Sequence, residues 1–142
     1  MNETALRITR ILNAPIERVF AAWTDPTKMA QWFFVQETWS AEVENDLRVG
    51  GGFAIKMRSD QGVELDCTGV YHEIEPPRRL VFSWTSYAVT DTRVTIELRE
   101  VEAGTELTLT HEDLVDVDVR NAHSEGWGGC LASLESYLQT IR

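Results

Sequence analysis

The sequence predicts an α+β fold in which a curved antiparallel sheet of seven strands surrounds a long C-terminal helix. Alternating apolar and polar residues recur in short segments between residues 35 and 112, and in a further segment at residues 6–12. This alternation is typical of an antiparallel sheet with one solvated face. The apolar residues from Trp127 onward keep a helical period instead. That final helix is the only predicted element long enough to fill the concave face of the sheet.

The chain begins with a predicted strand at Leu6–Leu12, where alternate residues are apolar. Pro15 suits the start of a helix, and the i, i+3, i+4, i+7 spacing that follows it predicts an amphipathic helix. Asp25 can cap a second, short helix that has Pro26 at its first position. The two helices would present the apolar side chains of Ile16, Val19, Phe20, Trp23, Met29, Trp32 and Phe33.

Six further strands follow, and glycine- or proline-containing turns separate most of them. The triplet Gly50–Gly52 leads into a strand rather than a helix, so we interpret it as a hairpin turn and not as a phosphate-binding loop. The longest strand is expected to bend or bulge near Gly69. The predicted strands cover residues 35–44, 53–58, 63–74, 80–85, 94–99 and 107–112.

The last predicted helix is preceded by an acidic segment, Asp116–Asn121. Gly126, Gly128 and Gly129 lie near its start, and each costs about 1 kcal/mol relative to alanine. We expect them to permit a bend or a close approach to another element. The helical spacing is carried by Trp127, Cys130, Leu131, Leu134, Tyr137, Leu138 and Ile141.

Length and charge limit the classes of function. The 142 residues fit one domain, predicted to span residues 1–142. Thirteen lysines and arginines against 23 aspartates and glutamates give a net charge of −10, which argues against nucleic-acid partners and anionic membranes. No long apolar run predicts a signal peptide or membrane insertion. We therefore expect a cytoplasmic protein whose two cysteines, Cys67 and Cys130, are buried free thiols.

Several stretches, taken in order, resemble a known family. They include Ala22-Trp23-Thr24-Asp25-Pro26, Asp46-Leu47-Arg48-Val49-Gly50-Gly51, Pro76 to Trp84, and Gly104 to Glu112. The chain is similar to the activator-of-Hsp90-ATPase-homologue type of the SRPBCC, or START/Bet v 1-like, superfamily. The resemblance implies the helix-grip fold and a cavity between the sheet and the last helix. Its members bind lipids, hormones or polyketides, and some are enzymes, so the resemblance leaves the function open.

Aromatic residues on the predicted inward faces are the best candidates for a binding site. Polar residues with the same inward parity accompany them, and an apolar cavity with a few converging polar groups is the usual anatomy of a small-molecule site. A plain packed core is the alternative reading. No nucleophile motif or metal-ligand spacing is present in the sequence, so we predict no catalytic residue, metal or cofactor. The predicted ligand-binding residues are Trp32, Phe53, Tyr71, Trp84, His111, His123 and Trp127.

Three functions are compatible with this sequence. The first is binding of a small apolar or amphipathic molecule in the cavity. The second is an enzyme, such as a cyclase or dehydratase, that uses His111, His123 or Tyr71 as acid or base on a hydrophobic substrate. The third is a protein-binding module like the co-chaperone that gives the family its name. Homodimers are common among small domains, so a homodimer is also open.

Overall fold

The computed structural model describes residues 5–36 and 38–140. Within them, one strand is followed by two helices, six further strands and a final helix, which is the order that the sequence predicts. The elements are β1 Leu6–Leu12, α1 Ile16–Thr24, α2 Pro26–Met29, β2 Ser40–Asn45, β3 Gly52–Arg58, β4 Glu64–Glu75, β5 Arg79–Trp84, β6 Thr92–Val101, β7 Gly104–Glu112 and α3 Val117–Thr140.

The seven strands form one antiparallel sheet in the order β1-β7-β6-β5-β4-β3-β2. The first half of β4 pairs with β3 and its second half with β5, so this long strand joins the two parts of the sheet. A Cβ atom at Gly69 would collide with the carbonyl of Ser83 and the ring of Phe53. The pairing register then shifts between Tyr71 and Glu73, so the predicted irregularity lies just after Gly69.

The core lies between the sheet and the helices. Helix α1 buries Ile16, Val19, Phe20 and Trp23, as their helical spacing predicts. Helix α2 begins where the carboxylate of Asp25 accepts hydrogen bonds from two backbone N–H groups, at 2.9 and 3.4 Å. No helix in the described part of the chain is both long and apolar enough to span a membrane.

Helix α3 packs its apolar face into the same core. Its buried residues follow the helical period that the sequence shows from Trp127 onward, although Ile141 lies outside the described residues. The helix begins at Val117, and the carboxylate of Asp116 accepts a hydrogen bond of 2.9 Å from the backbone N–H of Val119. The acidic segment is therefore mostly the first turn of α3, rather than a lead-in to it.

The strand predicted from Val35 begins only at Ser40. The backbone N–H of Trp39 donates to the carbonyl of Gln36 at 3.0 Å, which turns the chain before it enters the sheet. Glu37, which the prediction included, lies outside the described residues. The carbonyl of Val35 lies against Gly129 of α3, so this segment packs on the helix instead of pairing in the sheet. It forms one wall of the site described next.

Candidate ligand-binding site

A cavity of about 540 Å³ lies between α3 and the part of the sheet formed by β3, β4 and the end of β5. The segment after α2 and the loop between β5 and β6 complete its walls. Tyr87, Asp118 and Glu125 border the cavity and are exposed, so they mark its rim. The larger apolar side chains of the lining are Phe33, Val35, Met57, Leu65, Trp84 and Trp127.

Three aromatic rings form one continuous wall of this cavity. The ring of Phe33 stacks on Trp84, with centroids 6.0 Å apart and planes at 17°. The ring of Trp127 lies 4.9 Å from Trp84 and 5.8 Å from Phe33, centroid to centroid. Mutual contacts of this kind add to the stability gained by burial and fix the rings in place. The wall is therefore rigid, apolar and suited to contact with a flat or aliphatic ligand.

A fully buried histidine holds the last of these rings. The indole N–H of Trp127 donates to Nδ1 of His111 at 3.0 Å. On the other side of the imidazole, Nε2 lies 2.8 Å from the hydroxyl of Thr92. That hydroxyl gives its own proton to the carbonyl of Trp84, at 2.7 Å. It must therefore accept from Nε2, which fixes His111 as the neutral tautomer with its proton on Nε2.

These hydrogen bonds disfavour a second proton on His111. A proton on Nδ1 would point at the indole N–H of Trp127, which can only donate. Burial, with a smaller contribution from the nearby imidazole of His123, lowers the pKa of His111 from 6.5 to about 3. Both ring nitrogens are thus in use, and His111 acts as a positioning residue for Trp127 behind the cavity wall.

The second inward histidine borders the cavity directly. In His123, Nδ1 lies 2.9 Å from the carbonyl of Val119, one turn earlier in α3. A carbonyl only accepts, so Nδ1 carries the proton in the neutral ring and Nε2 holds a lone pair. Nε2 makes no hydrogen bond within the described residues. The ring of His123 is half-buried and lies 5.1 Å from that of His111, edge to face.

Two free thiols, Cys67 and Cys130, also line the cavity. Burial raises the pKa of Cys67 to about 12 and raises that of Cys130 as well. Both are protonated at neutral pH and behave as small apolar groups rather than as nucleophiles. In the described part of the chain, no group of three or more His, Cys, Asp or Glu residues could hold a metal ion.

Comparison with known proteins identifies the family. The family model described as "Activator of Hsp90 ATPase homolog 1-like protein" matches residues 13–139. The chain belongs to this family. Membership supports a module that binds a ligand or a protein partner, without naming either. No protein of curated function matches the chain.

Solved structures of similar proteins have the same fold. A protein from Chromobacterium violaceum is 28% identical, with a TM-score of 0.87 over 97% of this chain and 99% of that one. A protein from Rhodobacter sphaeroides is 26% identical, with a TM-score of 0.85 over 99% and 96% of the two chains. An AHSA1-like protein from Aeromonas hydrophila is 26% identical, with a TM-score of 0.84 over 95% and 92%. These relatives support the helix-grip fold that the resemblance implies.

The residues predicted to bind a ligand in this family member fall into two groups. Trp84, His123 and Trp127 line the cavity, and His111 lies behind Trp127 without bordering it. Trp32 is fully buried and donates its indole N–H to the carbonyl of Ala22 at 2.8 Å, so it belongs to the packed core. These positions leave the role of each residue in ligand binding a prediction.

Phe53 and Tyr71 lie in the filled part of the interior. They border a separate void of about 10 Å³, which is at the lower limit of space for one water molecule. The hydroxyl of Tyr71 accepts a hydrogen bond of 3.1 Å from the side chain of Asn45, and burial raises its pKa. Both side chains point inward, as the strand period predicts. In this part of the interior, however, other side chains fill the space next to them.

Part of the cavity wall was not among the predicted site residues. Met57, Leu65 and Cys67 have the inward parity of their strands, and Cys130 lies one turn after Trp127, so periodicity could have indicated them. The other wall residues lie in loops. Phe33 was predicted on the second helix, and Val35 and Gln36 in a strand, but α2 ends at Met29 and β2 begins at Ser40. Ser86, Tyr87 and Ala88 belonged to no predicted element.

Proposed function

We propose that the chain binds a small apolar or amphipathic molecule in the cavity between the sheet and α3. The cavity carries this proposal, because about 540 Å³ of space, partly open to solvent, is lined mainly by apolar side chains and by the aromatic wall. Small-molecule sites typically measure about 300–1,000 Å³ and combine apolar walls with a few polar groups. His123 supplies such a group, half-buried at the α3 side of the cavity.

An enzyme acting on a hydrophobic substrate is less well supported in the same cavity. Both ring nitrogens of His111 are engaged, and Tyr71 borders the other void. Of the three acid–base candidates, His123 alone borders the cavity. Within the described residues, no hydrogen bond joins His123 to a carboxylate that would orient it as a catalytic base. Turnover that is lost in His123→Ala would favour the enzyme.

A protein-binding role is supported by the family description alone. Capture of an Hsp90 chaperone by the purified protein would favour it, and the cavity variants described below should leave such capture unchanged. Native mass spectrometry of the purified protein tests two further expectations, a retained ligand and a homodimer, because it detects both directly.

The family match over residues 13–139 supports one domain across residues 1–142. Two free thiols are compatible with a cytoplasmic location.

The decisive experiment fills the cavity from α3. A Cβ at Gly126 would meet only the side chain of Val35, at 3.8 Å, and Gly126 borders the cavity. A leucine there should occupy the space that a ligand needs. Gly128 is the matched control, because it lies in the same helix, does not border the cavity and has no heavy atom within 4 Å of an added Cβ.

Binding is measured with Nile red, a neutral dye whose emission rises in apolar surroundings. We expect saturable enhancement with the wild type and with Gly128→Leu, and none with Gly126→Leu. Circular dichroism confirms that each variant is folded. Equal enhancement by all three proteins would place the dye elsewhere and contradict the proposal, as would the absence of saturable binding by the wild type.

A further inference from the structure

The charge and hydrogen-bonding groups of the cavity indicate which chemical class of ligand it accepts. This inference rests on the proposed function and adds the identity of the ligand's polar end. Among the described residues that line the cavity there is no lysine and no arginine. The two charged residues of the lining are carboxylates, Asp118 and Glu125, and neither is in an ion pair with a described residue.

These carboxylates lie on the same face of α3. Asp118 and Glu125 are two turns apart, and both are exposed at the rim, where an entering ligand would pass between them and the β5–β6 loop. The chain as a whole carries a net charge of −10, so the field at long range has the same sign. An anionic headgroup would meet repulsion at the rim and no cation inside.

One polar atom of the lining, Nε2 of His123, favours a ligand that donates a hydrogen bond. Two N–H groups that a ligand could otherwise use are engaged, because Trp127 donates to His111 and Nδ1 of His123 donates to Val119. The lone pair on Nε2 of His123 is left without a partner in the described residues. Neutral donors border the cavity as well, in the hydroxyl of Ser86 and the side-chain amide of Gln36.

We infer that the cavity selects neutral or cationic amphiphiles, namely alcohols, phenols or amines with an apolar body, over carboxylates such as fatty acids. A hydroxyl can donate to the imidazole lone pair and accept from the neutral donors of the lining, and an ammonium is attracted by the rim carboxylates. A carboxylate has no proton to donate, and it brings a like charge close to Asp118 and Glu125.

The test compares three probes that share one alkyl chain: n-decanol, n-decylamine and n-decanoate. Each displaces Nile red from the wild type at about pH 8, where the amine is cationic and the acid is anionic. We expect n-decylamine and n-decanol to bind roughly tenfold or more tightly than n-decanoate, the size of effect that close like charges near a protein surface produce. The double variant Asp118→Asn/Glu125→Gln should bind n-decanoate more tightly and n-decylamine more weakly than the wild type does. Its affinity for n-decanol should be unchanged.

A second double variant separates the rim charges from the net charge. Asp60→Asn/Glu102→Gln changes the net charge equally at exposed turns that do not border the cavity, and it should keep the wild-type order. The inference is wrong if n-decanoate binds the wild type as tightly as n-decylamine, or if the two double variants shift the order equally. If Nile red binds but none of the three probes displaces it, this inference fails and the proposed function stands. If Nile red does not bind, both fail.

Discussion

Acidification should destabilise the protein through His111, and comparison with a variant that lacks this imidazole measures the effect. The imidazole is fully buried, and its pKa falls from 6.5 to about 3 because burial disfavours the charged ring. In the unfolded chain the same ring takes up a proton below about pH 6.5. Between these two pH values the unfolded state binds one more proton than the folded state. The stability that His111 contributes is therefore complete above about pH 6.5 and is lost as the pH falls towards 3.

The magnitude follows from the proton count. A difference of one bound proton changes the free energy of unfolding by up to about 1.4 kcal/mol per pH unit. Between about pH 6.5 and about pH 5, His111 alone should lower the free energy of unfolding by roughly 1.5 kcal/mol. This window also stays above 4.5, the ordinary pKa of the carboxyls Glu64 and Glu73, whose pKa values are lowered further by hydrogen bonds from Arg58 and Arg79. Their contributions to stability are lost at lower pH.

The assay is urea unfolding of wild type and His111→Gln at several pH values in that window. Glutamine removes the titrating ring but keeps an amide that can donate to Thr92 and accept from Trp127. At neutral pH we expect the variant to lose about 1–3 kcal/mol for imperfect hydrogen bonding. The difference between the two proteins should then shrink by roughly 1.5 kcal/mol as the pH falls to about 5. A difference that stays constant across the window would refute the assignment of a neutral, proton-excluding His111.

Three further predictions test the helices and the thiols. Gly128→Ala should raise the free energy of unfolding by about 1 kcal/mol, because an added Cβ has open space in a helix interior. Gly129→Ala should lower the free energy of unfolding, because its Cβ would collide with the backbone carbonyl of Val35. Asp25→Ala should cost about 1 kcal/mol in thermal or urea unfolding, because the N-cap acceptor of α2 is lost. Cys67 and Cys130 should react with a thiol reagent at neutral pH only after unfolding, since burial raises the pKa of both; rapid labelling of the native protein would contradict this.

The strands could be predicted because the sheet imposes its own period on the sequence. In β7, Leu107, Leu109 and His111 share the buried face, and that parity is visible without coordinates. The state of His111 was not predictable in this way. Its tautomer depends on Thr92 and Trp127, which other elements bring to the two ring nitrogens. Periodicity gives the direction of a side chain but not its partners.

The boundary between core and cavity could not be predicted either. Phe53 and Trp84 both point inward and their rings lie 6.3 Å apart, yet only Trp84 borders the large cavity. The difference arises from the volumes of the side chains that face each ring across the interior. The alternation at Val35 misled the strand prediction for a related reason, because its apolar side chain packs towards α3 rather than onto the sheet.

The cavity persists because small residues occupy positions where a packed core would place large ones. Ala88 and Gly126 both border it, while aromatic rings fill the interior beside β5. At Gly126, helix propensity and apolar burial would both favour a larger residue, and the structure has room for it. Glycine at this position therefore makes the protein less stable than a larger residue would. Lower stability in exchange for open space in an apolar cavity is expected where that space is used for binding.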